Sequence, residues 1–278
     1  MGSFADPQSF LVLIQRKAWS FIMALINLKF ASETLGMQTE INVIVPQKST
    51  KGQIGMKGEA KGDKYKTLLL LHGLSDDSST WLRRSSIERY ATENGIAVIM
   101  PAAERSFYTD MKYGENFYTY ISEEVPRIAR EFLPLSDRRE DNFIAGLSMG
   151  GYGALKIALK NPEKYAAVAG LSSVADVQDF VNVHAPKVGF LVFGDDMKVP
   201  ASEDLFCLAE ACNSSEIKPR VLMIEGLQDF LLDGNVRLKE KFESLDYDYT
   251  YIDGPGGHGW AFWDKHIQYV LKWMLGKV

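Results

Sequence analysis

Cysteine and histidine are scarce in this 278-residue chain: two cysteines, Cys207 and Cys212, and four histidines, His72, His184, His258 and His266. Two thiols exclude a disulfide framework, and alone they do not close a structural zinc site. Chemistry that needs an imidazole has only four candidates. An excess of positive charge is also missing. Thirty-one Lys and Arg stand against 36 Asp and Glu, a formal net charge of −5. Such a balance gives no global pull on nucleic acid or on an anionic membrane. Long apolar runs are absent too. Phe10–Leu28 is interrupted by Gln15, Arg16 and Lys17, and the stretch from Ala18 to Leu28 falls short of the roughly 20 residues a spanning helix needs. No internal repeat or low-complexity linker divides the chain.

The first residues carry Asp6 and no base, and no small-residue cleavage site follows, unlike a secretory signal. Residues 1–22 are therefore expected to be an N-terminal extension upstream of a start at Met23, with a signal or a packed extra helix as the alternatives. Residues 23–278 are expected to form one domain, and a cytoplasmic location is expected.

What the chain does have is short apolar runs alternating with amphipathic stretches. Ile41–Val45 reads as a strand stopped by Pro46. Lys48–Lys66, rich in lysine and glycine, lacks a phosphate-loop pattern and reads as an exposed connection. Thr67–Leu71, Ile96–Met100, Phe143–Gly146, Ala166–Leu171, Arg220–Ile224 and Tyr247–Ile252 read as strands. Ser78–Thr92, Phe117–Leu133 with a kink or start at Pro126, Met149–Lys160, Asp204–Cys212, Val236–Leu245 and Asp264–Leu275 read as helices. This alternation predicts an α/β domain, a mostly parallel central sheet with helices on both faces. Ligands of such sheets lie beyond the carboxyl ends of the strands, so the loops there are where chemistry is sought.

Gly146-Leu147-Ser148-Met149-Gly150 matches G-x-S-x-G between a predicted strand and a predicted helix, the setting of a nucleophile elbow. Ser148 is the candidate nucleophile. A serine hydroxyl needs a base, and His258, in the glycine-rich loop after the last strand, fits the chain order. His266 and His184 read as structural, and His72 as shaping the loop after Thr67–Leu71. Asp229 is the first candidate for the carboxylate that orients the imidazole. Asp195, Asp196 and Asp233 remain alternatives. The oxyanion donors are expected at the backbone N–H groups of Met149 and Leu74. Tyr108, Tyr113, Phe117, Tyr118 and Tyr120 crowd one stretch and fit either the cleft mouth or the core.

The blocks LLHGLSDDSSTW, YTDMKYGENFYTYISEEVP, GLSMGGYGALK, GLQDFL and GPGGHGWAFWDKHI, in this order from about Ala24 to Trp273, resemble the esterase D-like branch of the α/β hydrolases. That branch includes S-formylglutathione hydrolases and tributyrin, acetyl and feruloyl esterases. The resemblance implies the α/β-hydrolase fold, no cofactor and no metal. It also implies a catalytic triad at Ser148, Asp229 and His258, oxyanion donors at Leu74 and Met149, and possible assembly into dimers or tetramers. It argues against Asp195. The turn Gly226-Leu227-Gln228 departs from the cysteine- or glycine-threonine-containing turn of many relatives, which leaves the pose of Asp229 open. The expected activity is a serine carboxylesterase acting on small-molecule acetyl to butyryl or aromatic acyl esters. The alternatives are an S-formylglutathione thioesterase and a non-catalytic binding protein on the same fold.

Overall fold

The computed structural model describes residues 20–49 and 63–278. Eight strands form one sheet: β1 (Ser20–Ser32), β2 (Met37–Ser49), β3 (Thr67–Leu71), β4 (Ala97–Pro101), β5 (Asn142–Leu147), β6 (Ala167–Leu171), β7 (Arg220–Gly226) and β8 (Tyr249–Gly254). Their order is β1-β2-β4-β3-β5-β6-β7-β8. β1, β2 and β4 pair antiparallel; from β4 to β8 every pairing is parallel. The short runs at β3, β4, β5 and β6 are buried along their whole length. This is why they lack polar alternation: helices cover both faces.

One face carries α1 (Thr80–Arg84), α2 (Ile87–Asn94) and α10 (Trp260–Met274), which contribute Trp81, Tyr90, Trp263 and Ile267 to one core. The other face carries α4 (Val125–Phe132), α5 (Met149–Lys160), α6 (Val177–Val183), α7 (Pro186–Phe193), α8 (Leu205–Asn213) and α9 (Leu232–Glu243). A short α3 (Phe117–Thr119) passes through a π turn at Tyr120–Glu124 into α4. The kink expected at Pro126 is thus a π turn just ahead of it, with the proline in the first turn of α4, where a missing N–H costs nothing.

Three expectations change. β1 begins at Ser20, inside the span expected to be an extension upstream of Met23, and is an edge strand with Ile26, Leu28 and Phe30 against the core and Leu25, Asn27 and Lys29 exposed. That is a period of two, hidden within a run read as continuously apolar. Residues 1–19, where most of the N-terminal extension was expected, and 50–62 of the lysine-rich connection lie outside the described residues. β2 runs past Pro46, because beyond Ile44 it pairs with β1 alone and a residue without N–H can face the open side. Ser78–Thr92 is two helices, α1 and α2, divided at Ser85 and Ser86. The apolar run before Asp195 is the helix α7. Among the described residues no helix is long and apolar enough to cross a membrane.

Candidate active site

The elbow after β5 is built on glycine. Ser148 has φ 54° and ψ −119°, a strained conformation for a residue with a side chain. Its N–H donates to Leu171 O at 2.9 Å, and its carbonyl accepts from Tyr152 N and Val174 N. The turn is so tight that a Cβ on Gly146 would lie 2.2 Å from Gly150 O, and one on Gly150 2.5 Å from Leu71 O. Both positions must therefore lack a side chain. The helix behind the elbow is anchored by a buried cation. Lys156 Nζ donates to Glu203 Oε2 (2.5 Å), Thr109 Oγ1 (2.7 Å) and Phe107 O (3.1 Å).

Three of the predicted side chains meet across the strand ends. Ser148 Oγ lies 3.0 Å from His258 Nε2, and His258 Nδ1 lies 2.9 and 3.0 Å from the two Asp229 oxygens. A carboxylate only accepts, so Nδ1 carries the proton and Nε2 is left to accept from the Ser148 hydroxyl. Burial pushes the Asp229 carboxyl up. The His258 hydrogen bond, the Leu231 N–H and the Ser172 hydroxyl outweigh it and hold the group below its ordinary value, as a carboxylate. The His258 ring stands edge-on to Trp263 (4.9 Å, 90°), and Trp263 Nε1 in turn donates to Ser172 Oγ. Phe230, 56% exposed, flanks the imidazole from the other side at 4.8 Å.

The turn before Asp229 is fastened to the histidine loop. Leu227 N–H donates to Gly254 O, Gln228 N–H to Gly256 O, and Gly256 N–H to Gln228 Oε1, all within 2.9 Å. A Cβ on Gly226 would fall 2.4 Å from Gly256 O, so glycine is required where the loops touch. The alternatives for the carboxylate lie elsewhere. Asp195 accepts from Tyr113 OH, Asp196 caps Lys198 N, and Asp233 sits in the first turn of α9.

The remaining histidines are distributed as the sequence suggested. His266 packs on Phe262, and His184 packs at a tilt against both Phe180 and Phe230. His72 is buried, donates Nδ1–H to Gly73 O (2.7 Å) and accepts from Ala103 N at Nε2 (2.9 Å). Gly73 O also accepts from Asp76 N. The carbonyl of the Gly73–Leu74 peptide is thereby pinned, and the Leu74 N–H on its opposite edge is pinned with it. Gly73 lies over Ser148, its would-be Cβ 3.8 Å from Ser148 Cβ. Asp76 Oδ2, which sequence reasoning passed over, accepts from Gly73 N and completes the loop.

Burial holds the His72 imidazole below its ordinary 6.5, against the opposing Gly73 carbonyl and the acids Asp76, Asp77 and Glu104. The unfolded chain binds a proton at that residue near pH 6.5; the folded chain does so only at lower pH. Its contribution to stability is therefore full above the unfolded value and lost as the pH falls below it. His72→Leu is expected to lose about 1–3 kcal/mol near neutral pH, because Ala103 N–H is orphaned. It is also expected to show a smaller further loss on acidification than the parent, and to lower kcat about tenfold or more by freeing the loop. Denaturant unfolding at two pH values together with steady-state rates checks all three.

The aromatic stretch resolves mostly into core. Tyr108, Phe117 and Tyr120 are buried, Tyr118 packs on Lys160, and Tyr113 is exposed beside Phe190. Among the described residues no group of three or more His, Cys, Asp or Glu converges to hold a metal ion.

Comparison with known proteins agrees with this fold. The Esterase family model ("Putative esterase") matches residues 32–274. An acetyl esterase from Caldicellulosiruptor saccharolyticus is 30% identical over 263 residues, covering 91% of this chain and 98% of that protein. The substrate-bound fluorophosphonate-binding serine hydrolase F of Staphylococcus aureus superposes with a TM-score of 0.81 at 36% identity, over 91% of this chain and 98% of that one. The S-formylglutathione hydrolase of Staphylococcus aureus gives a TM-score of 0.79 at 36% identity, over 91% and 99%. With a family match across most of its length and an α/β-hydrolase sheet, the chain belongs to the Esterase family and is a carboxylic ester hydrolase of the serine type.

Proposed function

We propose that Ser148, His258 and Asp229 are the catalytic triad, with the Leu74 and Met149 N–H groups as the oxyanion hole, and that the substrates are short-chain acyl esters. The carrying observation is the unbroken Ser148–His258–Asp229 hydrogen-bond chain. Ser148 Oγ attacks the ester carbonyl as His258 Nε2 takes its proton. The carbonyl oxygen gains negative charge and is met by the two N–H groups. Asp229 stabilises the imidazolium. The C–O bond to the alcohol then breaks, and His258 returns the proton to the departing oxygen. Water, deprotonated by His258, attacks the acyl-enzyme, and collapse of the second tetrahedral intermediate restores Ser148.

Acetyl to butyryl esters are the first assignment, supported by likeness to an acetyl esterase. Aromatic acyl esters come second. The thioester S-formylglutathione is the alternative, supported by the 36% identical S-formylglutathione hydrolase. A panel of acetyl, butyryl, octanoyl and feruloyl esters and S-formylglutathione separates these. The expected order of kcat/KM places acetyl and butyryl highest, and octanoyl at least about tenfold lower. S-formylglutathione turned over faster than every oxygen ester would overturn the ester assignment in favour of the thioesterase.

A further inference from the structure

β7 ends in a carboxyl group that the reaction above does not use. Glu225, the penultimate residue of the strand and four positions before Asp229, is completely buried. Its Oε1 accepts from Gly226 N–H at 3.2 Å, within its own strand end. Its Oε2 is buried and meets no donor. The acid whose charge acts on it is Asp229, one turn further along the chain.

Two ionised carboxylates in contact out of water repel strongly, so one of them holds a proton. The surroundings decide which. Asp229 accepts from His258 Nδ1–H, from Leu231 N–H at 3.0 Å and from the Ser172 hydroxyl. Glu225 has one N–H of its own neighbour. The donors gather on Asp229, and the proton is left to Glu225. Once protonated, the Glu225 carboxyl becomes a donor beside an acceptor, which gives its unpartnered Oε2 a role. Burial first, and then the charge of Asp229, push the Glu225 carboxyl up to about 9.

We propose that Glu225 is a neutral carboxylic acid that donates its O–H to the Asp229 carboxylate and positions it for His258, a role that rests on the triad reading above. The donated hydrogen bond anchors Asp229 from behind and draws off part of its negative charge. That moderates the pull of Asp229 on the imidazole proton, so the base stays free at neutral pH. If Glu225 ionises, the donor becomes a second anion against Asp229, and the acid is driven from its place at Nδ1.

The other titratable neighbours do not mimic this behaviour. Tyr251 on β8 has a buried hydroxyl without a partner, and burial, Glu225 and Asp253 push it up to about 12, well above the Glu225 range. Asp253, the register partner of Glu225 on β8, is exposed. Lys239 on α9 lies over the Tyr251 ring at 4.9 Å and pairs with Glu243.

The test compares the parent with Glu225→Gln and Glu225→Leu, measuring kcat/KM for p-nitrophenyl acetate between about pH 5.5 and 10, with thermal unfolding alongside. The parent is expected to lose activity on an alkaline limb centred near pH 9. Gln keeps a donor but cannot ionise, so that limb vanishes. Leu removes the donor: activity at neutral pH falls about tenfold, and the acid limb moves to higher pH by about half a unit, since Asp229 holds the imidazole proton more strongly. Gln recovers most of the activity that Leu loses. A limb that persists in Glu225→Gln, or a folded Gln variant as impaired as Leu, overturns the proposal. If Leu does not fold, the Gln profile alone decides. Failure here is separable from failure of the triad: an active Ser148→Ala would undo the triad, whereas an inactive one beside an unchanged Gln profile would undo only Glu225.

Discussion

Ser148→Ala is expected to lower kcat/KM for p-nitrophenyl acetate by about 10⁴- to 10⁶-fold, the scale on which removing a triad nucleophile acts. The protein should remain folded. The Ser148 backbone bonds to Leu171, Tyr152 and Val174 do not involve the side chain, and Ser148 makes no side-chain cap on α5. The change removes a single atom that bonds His258 Nε2. Covalent labelling by a fluorophosphonate should disappear with the activity, which also excludes a silent binding protein, since the parent must label. On the proposed assignment, residual rate above water would come from the Leu74 and Met149 N–H groups, which the substitution leaves alone. A folded Ser148→Ala enzyme within tenfold of the parent would mean that the acyl group is carried elsewhere.

Asp229→Asn is expected to cost about 10³- to 10⁴-fold in kcat with little change in fold. The amide is nearly the same shape as the carboxyl and can still occupy the Leu227–Gln228 turn. Two things are lost. The negative charge that stabilises the imidazolium is gone, and an amide N–H turned toward Nδ1 would force the proton onto Nε2, where it cannot accept from Ser148. Charge and tautomer both oppose the transition state, so KM should change far less than kcat. A loss under tenfold would show that Asp229 merely fills space, and would return attention to the other carboxylates. Steady-state kinetics beside unfolding curves decide it.

The sequence made much of this readable because the chemistry sits where the chain changes direction. Ser148 stands between an apolar run and a helix, and His258 lies in a loop with three glycines before it and one after. Both patterns exist because backbone crowds there, as the 2.2 Å approach at Gly146 makes plain. The central parallel strands were legible because burial on two faces leaves them short, nearly continuous apolar runs. Other features resisted. β1 was missed because its alternation starts inside an apolar run. α7 drew no assignment because its sequence is almost wholly apolar and shows no helical alternation, although Val188 and Val192 are its buried positions. Glu225 escaped notice because a carboxylate after RVLMI reads as the end of a strand, whereas the strand continues through it to Gly226. The choice among Asp229, Asp195 and Asp233 depended on which loop reaches His258, a three-dimensional fact that spacing along one chain does not encode.

The lacing of the 226–229 turn to the 254–258 loop bears on how this enzyme can be recombined with its relatives. Asp229 and His258 are 29 positions apart in the chain, yet Leu227, Gln228, Gly254 and Gly256 carry them as a single piece of scaffolding. A chimaera with its crossover between α9 and β8 would take each half of that piece from a different parent. The Gln228 amide and the bare Gly226 would then face a loop shaped for another turn. Fragments exchanged as a unit from β7 to the end of the histidine loop keep the piece whole, and this is the smallest module that can be swapped without parting the imidazole from its carboxylate.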